Sequence, residues 1–426
     1  MSACWPIAAV VLIVAVSSVE ARAETGPLTL EECVRLALAS PSAVSVARQQ
    51  REIAALGLPQ ARAAHLPQAR ADGAFTYNSP LMDNRDLPSH VALNGIREYG
   101  ALLTAVQELD LSGRLRAASA RARADRDAAD VSLVLAERDL KRAVTGGYHR
   151  LLLARRLVQV ARDALAEAQR FEGRSRQLFD KGEVARADVV KAGAQAASLE
   201  QAVSAAELAA ETANHELASF WTAAVAEPLA IVDVLEDPVA PWDAAPADNP
   251  FLRRPERAFF EAERAGFLAE ARRAHAELLP QASFTFQYGI DSLRFDWRDR
   301  GYAAFVALSV PLFDWSRARS ASRQFRLQAD QVDENRQIAV RTFSREYEDA
   351  LARVRVSGVQ IVLTQKRVTL SEENLRLSRV RYDGGEGSAL DVVAAQSELA
   401  DARANYYSAR FRLLDARADL AVAAGE

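Results

Sequence analysis

The chain has 426 residues, a formal net charge of −4, and ordinary proportions of hydrophobic (50%) and charged (26%) residues. A single compact domain rarely grows this large, so the length predicts two units or an elongated shape. A charge this close to neutral gives no reason to expect nucleic acid as a partner, and the excess of alanine, arginine, glutamate and leucine predicts long helices.

The N-terminus has the pattern of a signal peptide over residues 1–23. Its apolar stretch, residues 5–19, is short for a membrane span, and Ala21-Arg22-Ala23 supplies the small residues of a cleavage site. Cys4 precedes the apolar core, so it does not fit the lipid-modified cysteine of a lipoprotein. The other cysteine, Cys33, is expected to be a small apolar filler on a helix.

An internal repeat organises the rest of the chain. The segment FDKGEVARADVV at 179–190 returns as YDGGEGSALDVV at 382–393, an offset of 203 residues, and LPQA at 66–69 returns at 279–282. Between the halves, residues 228–250 are rich in proline, aspartate and alanine, which predicts a linker. We therefore predict a first repeat at 28–220, a linker at 221–248 and a second repeat at 249–424.

Each repeat has the same predicted order: helix, two strands, a very long helix, a tight turn and a final helix. The proline-free segments 112–178 and 317–381 predict helices that each reach roughly 100 Å. After each turn, from Val189 to Phe220 and from Val392 to Ala423, apolar residues recur at alternating spacings of three and four. This pattern is typical of a coiled-coil seam and predicts long helical hairpins.

The predicted strands alternate aromatic and polar residues. Phe284, Phe286 and Tyr288 alternate with polar neighbours, and a shorter alternation surrounds Phe75 and Tyr77. The pattern is typical of a barrel wall, with aromatic residues toward lipid and polar residues such as Ser283, Thr285 and Gln287 toward the lumen. An ordinary half-buried hairpin would show the same alternation. The second strand of each repeat is expected at 99–109 and 302–312, with solvent-exposed loops at 79–98 and 289–301.

With these elements in this order, twice, the sequence resembles the TolC-like outer membrane efflux family. The most specific motifs are the two turns, Phe179-x-x-Gly182 through Asp188-Val189 and Tyr382-x-x-Gly385 through Asp391-Val392. The opening LTLEECVRLAL at 28–38 and the Pro311-Leu312-Phe313-Asp314 strand exit also look like that family. The resemblance covers nearly all of the expected mature chain.

The resemblance implies a mainly α fold with a small β part. Long antiparallel helical hairpins would form an α-barrel tunnel, and four strands per chain would contribute to a trimeric 12-stranded transmembrane β-barrel. A collar around the middle would hold the linker and the C-terminal residues. No enzymatic activity and no cofactor are implied.

The function implied is that of an outer membrane channel in a tripartite efflux or type I secretion system of a Gram-negative bacterium. It would be a homotrimer in outer membrane lipid, with its tunnel extending into the periplasm. A periplasmic adaptor protein would connect it to an inner membrane transporter, which supplies the energy.

The resemblance places the functional residues at the hairpin tips. Gly182 and Gly385 allow tight turns between helices, and with Glu183 and Glu386 they form the tips that meet the adaptor.

A second group of tip residues corresponds to the periplasmic gate. Asp188 and Asp391 fall where the family narrows its entrance, and Tyr382 matches a gate tyrosine of some members. An arginine that helps to lock the closed entrance in those members is here Gly387. The alternative interpretation is that the two aspartates only cap or solvate the starts of their helices.

Other chemistry is not expected. The five histidines are scattered without ligand spacing, so no metal site is predicted. Gly384-Gly385-x-Gly387 lacks the following lysine of a phosphate loop and is interpreted as a plain turn. Two alternative functions stay open: a periplasmic adaptor, which would carry one hairpin rather than two in tandem, and a soluble coiled-coil scaffold, which would need no signal peptide.

Overall fold

The computed structural model describes residues 26–81, 84–88, 97–238 and 249–425. The predicted signal peptide lies outside these residues. Seven α-helices lie in the described ranges: α1 (Leu30–Ala39), α2 (Ala43–Ala63), α3 (Arg114–Asp180), α4 (Arg186–Ala218), α5 (Glu256–Ala276), α6 (Arg317–Asp383) and α7 (Ala389–Ala424). None of the helices in these ranges is both long enough and apolar enough to cross a membrane.

The two longest helices, α3 and α6, have 67 residues each and therefore extend for roughly 100 Å. Toward its C-terminal end, α3 packs along α4, and toward its start it packs against α2 and α5; α6 packs in the same way along α7 and α5. Contacts between α3 and α7 join the two hairpins. The shorter helices thus cover the long ones from both ends, as the two halves of the repeat predict.

The seam that holds the hairpins together near their tips is made of regularly spaced apolar residues. Phe171 and Leu178 of α3 pack with Val368, Leu375 and Tyr382 of α6. Successive members lie seven residues apart, the interval at which a helix in a coiled coil returns to the same face. The apolar periodicity of the sequence is therefore the direct cause of the hairpin packing.

The sheet sits at the other end of the long helices. Its strands are β1 (Gln68–Tyr77), β4 (Arg97–Leu109), β5 (Gln281–Ser292) and β6 (Gly301–Ser309), all antiparallel in the order β1-β4-β5-β6, and a separate hairpin is formed by β2 (Pro80–Leu81) and β3 (Asn84–Pro88). The central pair, β4 and β5, joins the two repeats. The predicted loop at 79–98 was wrong in part, because it contains β2 and β3.

Other strand boundaries also differ from the prediction, since β4 begins at Arg97 rather than at 99 and β6 begins at Gly301 rather than at 302. The strand predicted at 302–312 ends at Ser309, because Pro311 has no N–H to donate to a neighbouring strand. The loop predicted to begin at 289 begins after Ser292, since Gly289 still pairs with Leu102.

An aspartate carboxylate caps the start of each long helix. Asp110 accepts hydrogen bonds from the N–H groups of Leu115 (3.0 Å) and Arg116 (3.1 Å) at the start of α3. Asp314 accepts from the N–H groups of Ser316 and Ala318, both at 2.9 Å, at the start of α6. A capping carboxylate satisfies the otherwise free N–H groups of a helix start, so each strand can turn sharply into its long helix.

The described part of the predicted linker packs against the middle of the hairpins. Leu235 is fully buried, Leu28 bridges to Ile231, and the Tyr148 hydroxyl donates to the Val232 carbonyl at 2.6 Å. Cys33 is buried in the same core, and burial raises the pKa of its thiol to about 11. The described part of the linker therefore packs against α3 near the middle of that helix.

Candidate functional site

The tips of the two hairpins close with the same backbone turn. Gly182 and Gly385 have φ values of +78° and +75°, the left-handed region that favours glycine. The next residue in each turn donates its N–H back to the helix: Glu183 to Leu178 and Glu386 to Arg381, both at 2.9 Å. Two turns 203 residues apart thus have one geometry, and both expose their glutamates at the end of the molecule.

Tyr382 lies inside the seam between the hairpins. Its side chain is buried, its hydroxyl donates to Ser175 Oγ at 3.1 Å, and its ring packs edge-on against Phe171 at 5.0 Å between centroids. Burial raises the pKa of Tyr382, and the nearby carboxylates of Asp188 and Asp383 raise it further. In this conformation Tyr382 joins α6 to α3.

A second link joins the same two helices. Arg174 of α3 pairs with Asp383 of α6 at 2.9 Å. Both side chains are nearly half exposed, so solvent screening keeps the pair's contribution to stability small. The Tyr382–Ser175 hydrogen bond and the Arg174–Asp383 ion pair together are called the tip latch below.

Asp188 and Asp391 occupy equivalent positions but have different surroundings. Asp391 is exposed and forms a reciprocal cap with Ser388: its Oδ2 accepts from the Ser388 N–H at 3.0 Å, and its own N–H donates to Ser388 Oγ at 3.2 Å. These bonds lower the pKa of Asp391. Asp188 is half-buried, and α4 has no side-chain cap. Capping therefore describes Asp391 and not Asp188.

The backbone around Gly387 leaves little room for a side chain. A Cβ atom at Gly387 would lie 3.0 Å from the Tyr382 nitrogen and 3.1 Å from Arg381 Cβ, closer than side chains normally pack. Arg381 instead supplies a guanidinium in this region: it donates to the Glu386 carbonyl at 3.3 Å and helps to lower the pKa of Asp391. Arg381, six residues before Gly387, is therefore the arginine that lies near Asp391 in this turn.

The latch residues Ser175, Arg174 and Asp383 were missed by the sequence interpretation. The buried position of Tyr382 had a usable signal, because Val368, Leu375 and Tyr382 are spaced by seven residues along the seam. The polar partners Ser175, Arg174 and Asp383 had no comparable sequence signal, since α3 and α6 are distant in sequence.

The register of the sheet places the five aromatic residues predicted to face lipid on one face. Phe286 pairs with Ala105 and Ala304, and directly paired residues share a face. Following the register across all four strands gives large apolar residues on this face, among them Phe75, Tyr77, Tyr99, Leu103, Phe284, Phe286, Tyr288, Ile290, Tyr302, Val306 and Leu308, and also polar residues, among them Arg97 and Gln107.

The opposite face is mainly polar. It carries Arg70, Asp72, Thr76, Thr104, Ser283, Thr285 and Gln287, with Leu102, Val106 and Phe305 as apolar members. The two faces therefore differ in the sense that the alternation predicts.

Comparison with known proteins adds a family and a fold. Residues 33–223 and 252–426 match the family described as Outer membrane efflux protein. The cobalt-zinc-cadmium resistance protein CzcC of Cupriavidus metallidurans is 24% identical over 392 residues, covering 90% of this chain and 87% of CzcC.

Solved structures share the fold. The Campylobacter jejuni CmeC outer membrane channel matches with a TM-score of 0.84 and 18% identity, over 93% of this chain and 85% of its own. The outer membrane protein VceC of Vibrio cholerae matches with a TM-score of 0.81 and 18% identity, over 93% and 96%. The open state of the Neisseria gonorrhoeae MtrE channel matches with 0.77 and 22%, over 93% and 88%.

Proposed function

Because the chain belongs to the outer membrane efflux protein family, we propose that this efflux channel is the passive exit duct of a tripartite efflux or type I secretion system. The family consists of outer membrane channels, so the matches favour a channel over the adaptor and scaffold alternatives. Its members are not enzymes. The observation that supports the duct is the geometry: two hairpins of roughly 100 Å extend from a sheet with one aromatic and one polar face.

One chain is too small to close such a duct, and we infer that three copies do so. Among the described strands, β1 pairs only with β4 and β6 pairs only with β5, so both edges of the sheet are free to pair with another strand. Four strands cannot close a barrel, whereas twelve can. Free edges of this kind are otherwise aggregation sites.

Helix α6 also has an exposed apolar surface that no other part of the same chain covers in the described structure. Val356, Leu363, Leu370 and Leu377 recur every seven residues on α6, away from its buried seam, and all are exposed in the single chain. We call these four residues the α6 stripe. A regular apolar stripe without a partner in its own chain fits a neighbouring helix.

A groove on the first hairpin lies at the right height to receive Val356, the first residue of the stripe. It runs between α3 and α4 and is lined mainly by small or apolar residues, among them Leu153, Leu157, Ala206 and Ala209. Leu153 lies 27 residues before the end of α3, and Val356 lies 27 residues before the end of α6. Docking the start of the stripe of one copy into the groove of the next is a head-to-tail contact, the kind of contact that forms a ring when the rotation between copies closes.

We predict a trimer whose stability depends on the α6 stripe. Purified in mild detergent, the protein should have three times the mass of one chain by light scattering. Replacing Leu363 and Leu370 together with glutamate should shift it toward monomers, because carboxylates would replace the buried apolar contacts. The matched control is Gln365→Glu with Thr369→Glu, exposed positions on another face of α6. A monomeric wild type, or equal dissociation of both variants, would contradict the arrangement.

We propose that the exposed tips dock a periplasmic adaptor that leads to an inner membrane transporter. Gly182 and Gly385 fix the two turns, and Glu183 and Glu386 are exposed beside them. Photo-crosslinkers at positions 183 and 386 should capture the adaptor in cells, whereas a crosslinker at Glu200, on the side of α4, should not.

The same tips form the gate in this proposal. The tip latch holds α6 against α3, and opening the entrance would require breaking the Tyr382–Ser175 hydrogen bond. With three copies, Asp188 and Asp391 would converge near the narrowest point. Rings of carboxylates repel one another and attract cations, and these effects grow where water is restricted.

The channel should therefore be cation-selective, and removing these charges should change its conduction. We expect Asp188→Asn with Asp391→Asn to lower single-channel cation conductance in planar bilayers and to weaken cation preference, because the charges that attract cations are lost. Asparagine is used because it keeps an oxygen that can accept from Ser388, so the cap on α7 survives.

The control replaces two exposed acids away from the tips, Glu200→Gln with Asp401→Asn, and should leave selectivity nearly unchanged. If both double variants conduct like the wild type, the aspartates do not line the constriction. Absence of any conductance from the wild-type trimer would contradict the duct itself.

A further inference from the structure

A glutamine is buried in the apolar seam near the start of α7. Gln396 is only 4% exposed, and its neighbours along α7 include Val392 and Leu399, which belong to the apolar cluster that joins the hairpins near their tips. Glutamine is mostly found on protein surfaces, and a buried glutamine normally has its hydrogen bonds satisfied. The hydrogen bonds of Gln396 therefore decide whether this residue strengthens or weakens the seam.

Only one side of the Gln396 amide has a partner. Its Nε2 donates to the backbone carbonyl of Glu167 on α3 at 3.4 Å, which is long for a hydrogen bond between N–H and oxygen. Its Oε1 is enclosed and accepts no hydrogen bond from any residue in the described ranges. A buried acceptor without a donor loses the hydrogen bond that it makes to water when it is exposed. The amide therefore opposes the contact between α7 and α3.

The packing around this amide is also incomplete. A cavity of about 350 Å³ lies between α3, α6 and α7, and Glu167, Arg379 and Gln396 are among the residues that line it. Arg379 pairs with Glu167 at 2.5 Å through Nη2, but its Nε is enclosed and has no hydrogen-bond partner within the described parts of the chain. Two unsatisfied polar atoms thus lie at one junction. The contact above the tip latch is therefore the weakly held part of the closed seam.

The unsatisfied amide occurs in only one of the two hairpins. The offset of 203 residues places Gly193 of α4 at the position that corresponds to Gln396. Gly193 has no side chain, so it brings no polar group into the packing of the first hairpin. The second hairpin, α6 with α7, is also the one that the tip latch holds against α3. The latch and Gln396 therefore act on the same hairpin in opposite directions.

We propose that Gln396 weakens the closed contact between α7 and α3 and so poises the periplasmic entrance to open. The tip latch favours the closed arrangement, and Gln396 limits how strongly it is favoured. When the second hairpin moves away from α3, water reaches Oε1 and supplies the missing hydrogen bond. Gln396 is thus a positioning residue that sets the balance between two states through a helix contact. The inference rests on the gate proposed above.

The first measurement is the open probability of the full chain, assembled and reconstituted in planar bilayers. Gln396→Met keeps the length of the side chain and removes the amide. It should lower the open probability roughly tenfold, because an unsatisfied buried polar atom changes a two-state equilibrium by about that factor. The conductance of the open state should not change. Gln201→Met, the same substitution at an exposed position of α4, is the matched control and should behave like the wild type. Gln396→Leu takes the place of Gln396→Met if that protein does not assemble.

A latch variant separates this role from a general effect on stability. Tyr382→Phe removes the hydroxyl that donates to Ser175 and should raise the open probability. Adding Gln396→Met to Tyr382→Phe should lower the open probability again toward that of the wild type, because the two changes act on one equilibrium with opposite signs. A general loss of packing would raise opening further. If the double variant opens more than Tyr382→Phe alone, the proposal is overturned.

A distance measurement keeps this inference separate from the gate itself. Spin labels at exposed positions of α3 and α7, Gln169→Cys and Ala394→Cys, report the separation of the two helices, with one labelled copy in each assembly. Cys33 is buried and stays unlabelled. Gln396→Met should reduce the fraction of long distances roughly tenfold. If this fraction falls while the open probability is the same in every variant, Gln396 weakens the contact as proposed and the gate lies elsewhere. If the fraction does not fall, the proposal is overturned, whatever the conductance shows.

Discussion

Replacing Gly289 with alanine should stop β4 and β5 from pairing and so block assembly of the sheet. Gly289 has a φ of +152°, which L-residues rarely adopt, and an added Cβ would lie 2.0 Å from the Ala101 carbonyl oxygen. The obstructing atoms belong to the backbone of β4, so no side-chain rotation relieves the clash. We expect a cost of at least about 3 kcal/mol.

The effect is measured as the yield of trimer from membranes and as the midpoint of thermal unfolding in detergent. Gly301→Ala is the matched control, because Gly301 pairs with Gly289 across β5 and β6 and its Cβ would meet no atom within 4 Å. If Gly301→Ala lowered yield and midpoint as much as Gly289→Ala, loss of a strand glycine would matter rather than the close approach to Ala101.

Arginine at position 286 should destabilise the inserted channel by about 2–4 kcal/mol, provided that the aromatic face meets lipid near mid-membrane. Phe286 lies in the middle of β5 on that face, and its ring stacks with Tyr302 at 6.3 Å. A charge there would enter hydrocarbon, and the stacking would be lost. Guanidinium unfolding in phospholipid vesicles measures the change.

Gln287→Arg is the matched control, one residue further along β5 on the polar face. Thr285 is less suitable, because it is only 8% exposed and arginine would not fit there without displacing neighbours. The control should cost much less than Phe286→Arg. Similar costs at 286 and 287 would contradict the assignment of the faces.

Much of this fold follows from local sequence patterns. The repeat at an offset of 203, the proline-free segments and the three-four spacing predict two tandem hairpins, which the structure has. The alternation around Phe286 predicts which residues share a face, because the side-chain period of a strand is two regardless of its partner. These features need only the geometry of one helix or one strand.

What could not be predicted depends on residues distant in sequence. Nothing in the chain near Tyr382 names Ser175 as its hydrogen-bond partner. Likewise, only the convergence of α3, α6 and α7 shows that Gln396 and Arg379 line one cavity. The crowding at Gly387 is local in sequence, but it depends on how the turn folds back on Arg381, which residue types alone do not specify.

The pairing of β4 with β5 is expected to form late in folding, because it joins distant parts of the chain. Leu109 pairs with Ala282, so α3, α4 and α5 all lie within the loop that this contact closes. Closing a long loop costs chain entropy before any stabilising contact forms. The contacts within a hairpin of adjacent helices join residues that are closer in sequence, so the entropy cost of forming them is smaller. The antiparallel packing of α5 on α3 brings the ends of β4 and β5 together and shortens the effective loop.

Helical hairpins that fold first would therefore act as the template for the sheet. Pulsed hydrogen exchange during refolding should show protection of α3 amides before those of β4. The part of the chain that meets lipid would then be the last to acquire its structure, so the polypeptide could remain in water until its membrane-exposed surface is ready to insert.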